Sequence, residues 1–129
     1  MANRTFQQFT LSLVPALVVL TGKVAIGASG APTLTTGQLN GVASVTRTGT
    51  GAYTLTLQDI YTDYLFIDIK ELLVTTADIA VVINSIDVTN TKQITFTTVD
   101  YATGQTPTDP LSGSVLSFLI TLANSSVRL

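Results

Sequence analysis

Residues 42–58 read VASVTRTGTGAYTLTLQ, two alternating arms around a glycine-rich centre. In the second arm Tyr53, Leu55 and Leu57 fall on one side of an extended backbone and Thr54, Thr56 and Gln58 on the other, because successive side chains of a strand point to opposite faces. Threonine suits the wetter side: its branched Cβ favours extended backbone and its hydroxyl tolerates water. Between the arms, Gly49, Thr50 and Gly51 form a short turn in which glycine supplies the positive φ that hairpins need. A hairpin with arms Val42–Thr48 and Ala52–Gln58 is expected.

The same period of two extends in both directions. Downstream, strands are expected over Tyr64–Val74, Ile79–Val88, Gln93–Val99 and Val115–Ala123. In the last of these Leu116, Phe118, Ile120 and Leu122 alternate with Ser117, Leu119 and Thr121. The connections are Asp59–Asp63, with a single helical turn at Ile60–Asp63, then Thr75–Asp78, Asn90–Lys92 and a long irregular loop, Asp100–Gly113, which holds Gly104, Pro107 and Pro110. Upstream, Phe9, Leu11 and Leu13 share one face of a strand that Pro15 interrupts, and Leu17–Ile26 forms the next. A loop is expected from Gly27 through Gly41. About eight short strands separated by turns, with no amphipathic helix, predict an all-β fold, an antiparallel β-sandwich or jelly-roll-like arrangement. At 129 residues the chain is expected to form a single β domain over 1–129.

Composition narrows the function. The chain has no His, Cys or Trp, one Glu (Glu71), and only 11% charged residues, less than half the roughly 25% usual for soluble domains. Its mean hydropathy is +0.48. A surface of that kind is adhesive unless a partner covers it, which predicts an oligomer or a larger assembly. The six basic residues are scattered through the sequence and the net charge is -2, so no basic patch exists to neutralise a phosphate backbone, and nucleic-acid binding is not expected. The apolar run Leu11–Leu20 contains Pro15 and is about half the length that a membrane-spanning helix needs. It reads as a structural strand pair rather than a signal segment, and no membrane partner is expected.

Reactive chemistry is sparse. General acid–base catalysis uses His or paired carboxylates with separated pKa values, and this chain has neither pattern. Glu71 beside Lys70 reads as a solvated strand residue or half of an interface ion pair. Ser29 lies in Gly27-Ala28-Ser29-Gly30, which is neither a nucleophile elbow nor a phosphate loop. Asp59, Asp63, Asp100 and Asp109 are oxygen donors without the spacing of a known calcium loop, so they are expected to bond to backbone in turns. Asn3-Arg4-Thr5 and Asn124-Ser125-Ser126 match the glycosylation triplet, which matters only for a secreted chain. Tyr53 is expected in the core, whereas Tyr61, Tyr64 and Tyr101 stand near turns where a sugar could stack. No enzyme activity, cofactor or metal is expected.

Residues 20–34, LTGKVAIGASGAPTL, followed by residues 41–61, GVASVTRTGTGAYTLTLQDIY, resemble small virion structural proteins of tailed bacteriophages, of the capsid decoration (cement) or head-fibre type. The resemblance spans roughly residues 6–75, is best at the glycine-flanked hairpin, and rests on structural turns and strands. It implies a self-assembling homotrimer, made in the host cytoplasm and attached to the outer capsid surface, with the major capsid protein as partner. The stretch 6–20 is more apolar than a lone edge strand requires, so Phe6, Phe9, Leu11, Leu13, Leu17 and Val19 are the expected interface residues. A tail, baseplate or fibre subunit, and a carbohydrate-binding module on a host-recognition fibre, are the alternatives.

Overall fold

The computed structural model describes residues 17–33, 40–73 and 79–123. Nine strands fill it: β1 (Leu17–Ile26), β2 (Pro32–Thr33), β3 (Val42–Gly49), β4 (Ala52–Leu57), β5 (Asp63–Leu72), β6 (Ile79–Asp87), β7 (Gln93–Asp100), β8 (Thr106–Pro107) and β9 (Val115–Ala123). They form two antiparallel sheets. Sheet A has the order β2-β1-β9-β5, and sheet B has the order β3-β4-β7-β6 with β8 paired to β7. The expected all-β sandwich is the observed architecture.

The alternation read in the sequence becomes the inner and outer faces of these sheets. Tyr53, Leu55 and Leu57 on β4, Ile94 and Phe96 on β7, and Val42 and Val45 on β3 point inward from sheet B. Leu20, Val24 and Ile26 on β1, Ile69 on β5, and Leu116, Phe118, Ile120 and Leu122 on β9 meet them from sheet A in the same cluster. Tyr53 and Phe96 lie directly opposite each other on paired strands, and their rings stack with centroids 5.4 Å apart. Burial of a large side chain of this kind contributes about 1.5–3 kcal/mol relative to exposure, so the two inner faces dominate the energetics.

Several local expectations are corrected. Ile60–Asp63 makes no helical turn; Tyr61 donates its N–H to Val88 O at 2.9 Å and Thr62 donates to Ala123 O at 2.9 Å, so this segment is tied to the ends of both sheets. Tyr61 itself joins the core. The loop from Gly27 contains a 3-10 turn at Ala28–Gly30 and the short strand β2. The long loop Asp100–Gly113 is likewise tied back, by β8. Two-residue strands carry no alternation, and each of these contains a proline, which argues against a strand when sequence is all there is.

Candidate functional site

Two features stand apart from ordinary sandwich packing. One is a polar clasp at the end of the sandwich; the other is the outer face of sheet A.

Asp109, from the long loop, is the centre of the clasp. Arg47 grips it with two bonds, Nε to Oδ1 at 2.9 Å and Nη2 to Oδ2 at 2.7 Å, a bidentate geometry that only a planar guanidinium offers. The Gly51 N–H donates to Oδ1 at 2.8 Å. The Tyr53 hydroxyl lies 2.9 Å from Gly30 O and 3.2 Å from Asp109 Oδ1. One carboxylate thus joins the hairpin tip, the loop after β1 and the long loop. Arg47 reaches it because its backbone pairs with Tyr53, which places its side chain toward the inner side, at the sandwich end. The fit allows no extra atom: Gly30 has φ +73°, and a Cβ there would lie 2.5 Å from Asp109 Cγ. Beneath the clasp, Thr98 is fully buried, and its hydroxyl donates to Thr108 O at 2.6 Å.

These contacts set the charges. The Arg47 hydrogen bonds hold the Asp109 carboxyl below the usual carboxylate range, with Gly51 and Tyr53 assisting against partial burial. Burial, then the neighbouring Asp109, pushes the Tyr53 hydroxyl well above the usual tyrosine value, so both stay in the protonation states the hydrogen bonds require. Nothing in the clasp is a general base: its one carboxylate is saturated by donors and ionised. The clasp is built for holding.

The other candidate oxygen donors do local work as well. Asp100 accepts from the Ala102 N–H at 2.8 Å, and Asp63 accepts from the Tyr64 N–H at 2.8 Å. Asp87 accepts from the N–H groups of Asn90, Thr91 and Thr89 in the β6–β7 turn, and the bonds from Asn90 and Thr91 hold its carboxyl below the ordinary value. Among the described residues no group of three His, Cys, Asp or Glu side chains stands where a metal would need them.

Glu71 is not the solvated residue expected. It lies opposite Leu116, a buried β9 residue, and so faces the inside of the sandwich at the end of β5. Its Oε1 is buried and has no hydrogen-bond partner among the described residues. Burial pushes its carboxyl above the ordinary value, with Lys70 acting in the opposite direction. The nearby Ser114 Oγ, two residues before Leu116, is buried and unpartnered in the same way.

The two outer faces differ sharply. Across sheet B, Thr46 pairs with Thr54, Thr54 with Thr95 and Thr95 with Ser85, a hydroxyl row in which Ser85 Oγ and Thr95 Oγ1 are 2.6 Å apart. Across sheet A, by contrast, Val19 pairs with Thr121 and Thr121 with Phe66, while Leu119 sits on the next row beside Asp68. Phe66, Leu72 and Leu119 are exposed. Of the expected interface residues, Leu17 and Val19 are half-buried on this face; Phe6, Phe9, Leu11 and Leu13 lie outside the described residues. The strongest apolar exposure falls on β5, where Tyr64, Leu65, Phe66 and Leu72 are all open. The signal was present in the sequence as YLF at residues 64–66 on a strand that also carries Asp68, Lys70 and Glu71, but which strand becomes an edge cannot be read from alternation.

No known protein family, characterised protein or solved structure matches this chain.

Proposed function

We propose that this chain is a structural subunit of a tailed-phage virion, a capsid decoration protein that binds the outer head, self-associates as a trimer and stabilises the shell through contact with the major capsid protein. One observation carries the reading: the outer face of sheet B carries a hydroxyl row with Val82 as its one exposed large apolar side chain among the described residues, whereas sheet A exposes Phe66, Leu72 and Leu119, the asymmetry of a part that lies against something. Large apolar side chains grouped on one sheet cost solubility unless they are covered. The saturated clasp and the sparse chemistry suit a rigid scaffold, and the resemblance of residues 20–34 and 41–61 to phage virion proteins supplies the kind of particle.

A tail, baseplate or fibre subunit would use the same asymmetry, and imaging of labelled virions separates it from a head protein. The carbohydrate-binding reading has less to stand on, since Tyr61 is in the core and leaves Tyr64 and Tyr101 as the exposed rings. The test is to add purified protein to phage heads stripped of accessory proteins. Saturable binding at local symmetry axes, with heads more resistant to heat, is the expected result. No binding to heads, with label on tails, overturns the head assignment.

A further inference from the structure

The edge strands of the sandwich are unequal. Natural edges are blunted by bulges, short length or charges, because a row of unpaired N–H and C=O groups recruits other strands. β2 has two residues, β3 carries two bulges, and β6 carries one in its middle. β5 is ten residues long. Its single irregularity lies at Tyr64/Phe66, so Phe66–Leu72 runs regularly along β9. Among the described residues its other edge is unpaired.

The sequence of that regular stretch is self-complementary. Its outward side chains, in order, are Phe66, Asp68, Lys70 and Leu72: apolar, negative, positive, apolar. In an antiparallel pair, residues directly opposite share a face. Two copies of β5 related by a two-fold axis at Ile69 therefore set Asp68 against Lys70 of the second copy, twice, and Phe66 against Leu72 of the second copy, twice. On the inner side Ile69 meets itself and Ile67 meets Glu71. Moving the axis one step along the same face sets Asp68 against itself or Lys70 against itself, both repulsive. A shift by an odd number of residues sets outer side chains against inner ones. Charge and face, together with pairing along the whole regular stretch Phe66–Leu72, leave one register. Within a single copy, Lys70 and Asp68 are only 3.6 Å neighbours on one strand, an exposed pair of little value that is free to re-pair across the axis.

We propose that β5 docks against β5 of a second copy, joining two sheets A into one continuous antiparallel sheet through a two-fold axis at Ile69. The contact is isologous and closes on itself, so the exposed edge is consumed without fibre growth. It extends the apolar outer face across both copies, with Phe66 and Leu72 packed in pairs at the seam. It holds whichever virion part the chain serves, and because it is two-fold it is a separate contact from any three-fold one.

Charge swapping tests it. Sedimentation equilibrium of the full chain from about 1 µM to about 1 mM gives the association constant. Asp68→Lys alone sets Lys against Lys, and Lys70→Asp alone sets Asp against Asp. Each is expected to weaken self-association about tenfold or more, since like charges directly opposite destabilise a strand pair. The double variant D68K/K70D restores it, and an equal mixture of the two single variants forms a heterodimer tighter than either homodimer. Circular dichroism checks that each variant keeps its strands. Should a single variant lose them, Phe66→Thr and Leu72→Thr, which change no charge, take its place and are expected to weaken the dimer by a similar factor. A wild-type chain that stays monomeric to the highest concentration overturns the proposal and leaves the edge to another segment of this chain or to a different protein. So do single variants that associate like wild type, or a mixture with no heterodimer. Failure of head binding with the charge-swap pattern intact overturns the proposed virion role instead.

Discussion

Asp109→Asn leaves a side chain of the same size but takes away the charge and one of the two acceptor oxygens that Arg47 grips. The loss is expected to be about 2 kcal/mol, as for a broken charge-assisted network, or a melting temperature lower by about 8 °C for a domain of this size. The pH dependence has a defined sign. Asp109 titrates below its ordinary value of 3.8 when folded, so its stabilisation is present above that pH and is lost as the pH falls through the folded pKa. Acid melting curves of wild type and Asp109→Asn should therefore converge as the pH drops below about 4. Glu71 has the opposite sign. Its folded pKa lies above the ordinary 4.5, so the folded state is favoured below that pH and loses the advantage as the pH rises through the folded value. Glu71→Gln is expected to match wild type near pH 4 and to melt at a higher temperature at pH 7, by about 1 kcal/mol of stability. Equal melting temperatures at pH 7 contradict the buried, unpartnered Oε1 of Glu71.

β4 and the inner row of β9 were legible residue by residue, because Tyr53, Leu55 and Leu57 alternate with threonines and Leu116, Phe118, Ile120 and Leu122 hold every second position; the two bulges of β3 interrupt that period. What alternation does not carry is which strands become neighbours. Arg47 and Asp109 are 62 positions apart, and nothing local in either segment marks them as partners; only the closing of the long loop over the hairpin tip unites them. The same holds for β2 and β8, too short to have a period, and for Glu71, whose inward position follows from the pairing of β5 with β9 rather than from its neighbours in sequence. The glycine at the hairpin tip does more than turn the chain. Gly51 has φ +67°, and a Cβ would fall 2.6 Å from Thr98 O and 2.7 Å from the Thr108 N. Gly51→Ala must strain the turn and part the tip from β7 and the long loop, a cost of about 2 kcal/mol or more. Chemical denaturation should show it as a lower midpoint with an unchanged slope, whereas an unchanged midpoint would mean that the tip is not packed as described.

At the scale of the molecule, the outer face of sheet B carries a hydroxyl row, while that of sheet A mixes exposed Phe66, Leu72 and Leu119 with polar and charged side chains. Asp87, Asp100 and Asp109 hold loops, which leaves Lys23, Asp63, Asp68 and Lys70 as the charges among the exposed apolar groups of sheet A. Such a face can be covered with little desolvation of charge, and repetition on a symmetric particle would multiply even a modest contact. The sequence holds no His or Cys, and the proposed contact role rests on the difference between the two outer faces. Hydroxyl-radical footprinting at low and high protein concentration tests this most directly. Phe66 and Leu72 on β5 are expected to become protected as concentration rises, while Val82 on sheet B and Tyr101 on its loop, both exposed in the single copy, keep their labelling. Protection of Val82 and Tyr101 with sheet A still labelled, or no protection anywhere, would contradict the account.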